Sequence, residues 1–92
     1  MTTIDGPITA EQGSQPTLGA MRVGIMEAAT IGGVSKAKLL LRPESGERIV
    51  VITAGEPLTI EGVGSLSLDE VIPEVEGGSK VRVTLSLTTP EA

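Results

Sequence analysis

Lys80-Val81-Arg82-Val83-Thr84-Leu85-Ser86-Leu87-Thr88 alternates with a period of two: Val81, Val83, Leu85 and Leu87 fall on one side, and Lys80, Arg82, Thr84, Ser86 and Thr88 on the other. Successive side chains of an extended chain point to opposite faces, so the pattern describes a strand with one face on a core and one in water. The same period recurs upstream. Over Ser35 to Arg42, Ala37, Leu39 and Leu41 share a face, while Lys36, Lys38 and Arg42 share the other with Leu40. Leu58 and Ile60 alternate with Thr59 and Glu61, and Gly62-Val63-Gly64 returns the chain into Leu66 and Leu68, the pattern of a hairpin. Arg48 to Thr53 carries the unbroken apolar run Ile49-Val50-Val51-Ile52, which predicts a central strand covered on both faces or paired into a closed barrel.

Three segments admit two readings each. Met21, Val23 and Ile25 alternate as a strand; Met21, Ile25, Ala28 and Ala29 also fit helical spacing, against which stand Gly24 and Gly32-Gly33. Ser67-Leu68-Asp69-Glu70 fits a capping box ahead of one helical turn stopped by Pro73, or a bulged strand. Residues 1–17, rich in Thr, Gly, Gln and Pro, read as an N-terminal arm or one short strand from Pro7 to Glu11. Pro43-Glu44-Ser45-Gly46, Ala54-Gly55-Glu56-Pro57 and Glu76-Gly77-Gly78-Ser79 read as turns. The expectation is an all-β chain, a small antiparallel sandwich or barrel of six to seven strands, with 1–17 as arm and 18–92 as a single β domain.

Composition agrees with strands and removes whole classes of chemistry. Val, Ile and Thr number 27 of the 92 residues and Leu adds nine, whereas Cys, His, Phe, Trp, Tyr and Asn are absent. Without His or Cys there is no imidazole base, no thiolate nucleophile and no soft metal ligand. Without aromatic rings there is no platform on which nucleic-acid bases stack, and the net charge of −5 opposes a phosphate backbone. No disulfide is available, so a small aliphatic core must suffice, and self-association would help it. No segment approaches a membrane span and Met1 to Pro7 carries no basic, apolar leader, so a cytoplasmic protein with no membrane partner is expected.

Charge is unevenly divided. Residues 1–46 hold four bases and four acids, and 47–92 hold three bases and eight acids. Lys36, Lys38 and Arg42 form a basic stripe, and Asp69, Glu70, Glu74 and Glu76 an acid-only stretch, so contact between copies could bring stripe to stretch. Ser35-Lys36-Ala37-Lys38 matches the S-x-x-K nucleophile motif, but it lies on a strand without the companion motifs of that chemistry; a lysine-blunted strand is the plainer reading. Gly77-Gly78-Ser79-Lys80 lacks the spacing of a phosphate loop. The acid stretch is interrupted by Val71, Ile72, Pro73 and Val75, too sparse for a calcium loop, and a paired-carboxylate glycosidase using Asp69 with Glu56 or Glu61 would lack aromatic rings to hold sugar. No metal, cofactor or catalytic residue is expected.

Met21-Arg22-Val23-Gly24-Ile25, Ala37-Lys38-Leu39-Leu40-Leu41, the hairpin Gly55-Glu56-Pro57-Leu58-Thr59-Ile60-Glu61-Gly62, Leu66-Ser67-Leu68-Asp69-Glu70-Val71 and Val81-Arg82-Val83-Thr84-Leu85 follow in order. Over residues 18–88 this order resembles small uncharacterised β proteins of actinobacteria. In those, a Gly-Asp-x-Phe-type hairpin leads into a Trp-x-Leu strand and a closing Val-x-Leu strand. Leu58 stands here at the Phe position and Leu66 at the Trp position. The resemblance implies a compact β fold and no activity.

These residues point to a non-catalytic accessory domain acting by protein–protein contact, with a protein partner or a second copy of itself. Two other classes compete: a phage-like decoration or tail subunit whose arm reaches a neighbour, and a small enzyme using carboxylate or lysine chemistry around Asp69, Glu70 or Lys38. Met26 and Leu40 break the alternation as outward large side chains, so the expected contact surface comprises Met26, Lys36, Lys38, Leu40, Arg42, Asp69 and Glu70. A two-sided core burying Met26 and Leu40 is the competing explanation.

Overall fold

The computed structural model describes residues 2–19, 21–43, 46–60, 63–74, 78 and 80–90. The turn residues Glu44, Ser45, Glu76, Gly77 and Ser79, and Glu61 and Gly62 of the expected hairpin, lie outside the described residues. Eight strands follow one another: β1 Thr2–Glu11, β2 Thr17–Leu18, β3 Met21–Ile31, β4 Val34–Arg42, β5 Arg48–Thr53, β6 Leu58–Ile60, β7 Gly64–Ile72 and β8 Arg82–Pro90. They form two antiparallel four-stranded sheets, ordered β1-β8-β7-β6 and β2-β3-β4-β5. Over the described residues the chain is therefore all-β and a sandwich, not a closed barrel, with eight strands rather than six to seven. The additional strand, β2, has only two residues, too few to show a period.

Alternation fills the space between the sheets. Val83, Leu85 and Leu87 of β8 and Leu66 and Leu68 of β7 face Val23, Ile25, Leu39 and Leu41 of β3 and β4, with Leu18, Met21, Ala37, Ile52 and Ile60 completing the buried set. Among the described residues no polar side chain is buried, so the core rests on aliphatic burial alone. Residues 20–30, open between strand and helix, belong to β3 apart from Ala20, which is not described; the outward step at Met26 is a bulge between Ile25 and Glu27. The capping-box reading of Ser67 to Glu70 gives way to a strand with a register shift between Leu68 and Glu70.

The N-terminal segment is more ordered than an arm or a strand from Pro7. β1 begins at Thr2 and pairs along β8, with a register shift between Asp5 and Ile8 at the cis Gly6-Pro7 peptide. The chain then crosses to the second sheet. Gly13 N–H donates to Ile25 C=O, and Ser14 and Pro16 carbonyls accept from Ile25 and Val23, so residues 13–18 occupy the free side of β3.

The strand Ile49–Ile52 departs most from its reading. β5 is an edge strand, paired only with β4. Ile52 is 1% exposed, but Ile49 and Val51 are 56% and 60% exposed, because alternation turns them to the outer face, where among the described residues no second layer lies.

Truncating the centre of the core should cost far more than changing its outer face. Leu85→Ala is expected to lower unfolding free energy by about 2–5 kcal/mol. Gly64→Ala should cost about 2–4 kcal/mol, since Gly64 has φ +149° and a Cβ there would overlap the Thr88 carbonyl. Urea unfolding followed by far-ultraviolet circular dichroism checks both; losses below about 1 kcal/mol would contradict this packing.

Candidate functional site

The outer face of the second sheet is built from three strands in fixed register. Cross-strand pairing sets Ala29 beside Lys36 and Thr53, Glu27 beside Lys38 and Val51, Gly24 beside Leu40 and Ile49, and Arg22 beside Arg42. Four of the expected contact residues, Lys36, Lys38, Leu40 and Arg42, thus lie in one row on β4. Leu40 is half-buried, and it lies with Gln15 over Gly24, where an added Cβ would meet Leu40 Cβ at 3.4 Å and Gln15 Cγ at 3.6 Å. Beside Leu40 the exposed Ile49 and Val51 continue the apolar surface, with the lysines along its flank.

Met26 belongs to the neighbouring strand. It is exposed at the β3 bulge, and its carbonyl accepts from Gln12 Nε2 at 3.1 Å. The two-sided core that would have buried Met26 and Leu40 is absent among the described residues. The β3–β4 hairpin ends in Gly32 and Gly33, with φ of +61° and +82°, which suit a two-residue turn matched to strand twist. Behind that turn Thr30 Oγ1 and Ser35 Oγ are hydrogen-bonded at 2.8 Å, and Ile31 and Val34 stand exposed. A shallow concavity lined by Glu27, Ala29, Lys36, Lys38 and Val51 runs along the face.

Asp69 and Glu70 lie elsewhere. Both are exposed on β7 of the opposite sheet, where the Asp69 carboxylate accepts from Ser86 Oγ. Lys38 and these acids sit on different sheets with the aliphatic core between them, so they do not converge on one pocket. Among the described residues no three acids come close enough to hold a metal ion, and no helix is long and apolar enough to cross a membrane. Sequence reasoning missed Ile49, Val51, Ile31 and Val34. The signal was present in the unbroken run of β5, but a run of that kind is shared by central and edge strands.

Arg42 Nε lies 3.1 Å from Glu47 Oε2 at the entry to β5, an exposed pair contributing at most about 1 kcal/mol. No protein-family model, curated protein or solved structure matches the chain.

Because Ile49 and Val51 touch solvent rather than core, Ile49→Lys and Val51→Lys should each change stability by no more than about 0.5 kcal/mol. Thermal melts in dilute solution check this; a loss as large as that of a core truncation would mean that the face is covered within one chain.

Proposed function

We propose that the chain is a non-catalytic protein-binding β domain whose contact surface is the outer face of β4 and β5. One observation carries the reading: Ile49 and Val51 lie exposed beside half-buried Leu40, on a sheet face with no covering layer among the described residues. Covering such a surface removes apolar area from water, and flanking Lys36 and Lys38 favour a partner with acidic groups at the rim. The enzyme reading has less to rest on: Lys38 lies on the sheet opposite Asp69 and Glu70, and although Glu56 and Asp69 line one shallow concavity with Ser67, both carboxylates are exposed there. The decoration-subunit reading loses its motive, because β1 pairs with β8 of the same chain. The resemblance to actinobacterial β proteins adds a fold expectation and no activity.

Association is the quantity to test, by light scattering for self-contact and by capture from the native host for another protein. Leu40→Lys and Val51→Lys should each weaken it at least about tenfold, while Ser67→Lys on the opposite sheet leaves it unchanged. Equal effects from both faces, or no association by either method, would overturn the assignment.

A further inference from the structure

We propose that β5 pairs, antiparallel and about a two-fold axis, with β5 of a second copy of this chain, in a register centred on Val50. The proposal goes beyond the contact-surface reading above, since it uses the backbone edge of β5, packs Ile49 and Val51 side by side with their counterparts and leaves the outer face over Leu40 open. Its starting point is the phase of the hydrogen bonds. Ala54 N–H donates to Ser35 C=O at 2.9 Å, so in the β4–β5 register Ile52, Val50 and Arg48 also bond towards β4. The N–H and C=O groups of Ile49 and Val51 then point to the free edge. Thr53 points there too, but its carbonyl accepts from Glu56 N–H at 3.0 Å, and the Thr53–Glu56 bridge closes the edge at that end.

The other edges are blunted, and where β2 and β6 stop short the uncovered parts of β3 and β7 carry a bulge with the charged Glu27, or with Asp69 and Glu70. β1 is interrupted by Gly6-Pro7 and its register shift, β2 has two residues and β6 three. Ile49–Ile52 contains no proline, charge or bulge. A second β5 centred on Val50 sets Ile49 against Val51 of the other copy, twice, satisfying all four free groups. Val50 meets its own counterpart as a close, non-hydrogen-bonded pair. The four outward side chains pack on one another in a continuous eight-stranded sheet.

The bounds of the free edge select this register. Arg48 of the second copy falls opposite Ile52, the last position before the Thr53–Glu56 bridge. β5 begins at Arg48, and Glu47 is held aside by Arg42, so the incoming strand ends where Glu56 begins. Centring on Val51 would require the Thr53 carbonyl that Glu56 occupies, and centring on Ile49 would set Val51 against Glu47.

The full chain, at concentrations up to about 1 mM because a short edge pairing is a small interface, should double its mass by light scattering. Val51→Pro removes a free N–H without touching the β4 ladder and should raise the dissociation constant at least about tenfold, with an unchanged circular dichroism spectrum. Ile49→Lys should do the same. Val50→Cys, in a chain without other cysteines, should form an intermolecular disulfide on mild oxidation, because a non-hydrogen-bonded pair brings Cα atoms to about 4.5 Å.

A monomer at every concentration, a dimer indifferent to Val51→Pro, or cross-linking no faster at Val50→Cys than at Thr59→Cys would overturn the proposal. A monomer that still binds a host protein through Leu40 and Val51 would overturn the second-copy assignment alone and leave the contact-surface reading standing.

Discussion

An extended strand cannot turn all of its side chains the same way, and β5 carries four apolar residues in succession. Ile52 closes the core beside Ala37, so Ile49 and Val51 must face outward. In the middle of a sheet covered on both faces this would be ordinary. At an edge with nothing above it, the same alternation leaves branched side chains and unpaired backbone in water together. The free edge follows from that placement, and the proposed contact face and second-copy pairing start from it.

The rest of the fold shows how the other edges differ. Residues 13–18 lie along β3, β6 is short, and Gly6-Pro7 interrupts β1. A core without aromatic rings offers limited apolar area per residue, so burying Ile49 and Val51 against a partner would add to the kind of burial that holds the sandwich together. In the proposed dimer, association and stability are linked through one strand. The outer face of the other sheet is rich in serine and threonine, and among the described residues Ile4 is its one large exposed apolar side chain.

Much of the sandwich was legible in the sequence where one face of a strand is wet. Val83, Leu85 and Leu87 alternate cleanly with polar residues, and so do Leu39 and Leu41 with Lys38 and Arg42; each apolar residue is buried. Leu40 was legible as an outward residue for the same reason. The position of β5 was not, because Ile49-Val50-Val51-Ile52 fits any strand with two apolar faces and only the pairing order tells an edge from a centre. β2 was too short to read, and β1 too poor in large apolar residues. Asp69 and Glu70 looked like companions of the basic stripe because linear order does not reveal which sheet a strand joins.

Amide hydrogen exchange resolved along β5, in dilute and in concentrated solution, tests the central claim most directly. The amides of Val50 and Ile52, bonded to β4, should be protected at both concentrations. Those of Ile49 and Val51 should exchange freely when dilute and become protected as the second strand docks. Protection of Ile49 and Val51 at all dilutions would show that the edge is covered within one chain, and free exchange at every concentration would show that no second β5 binds it.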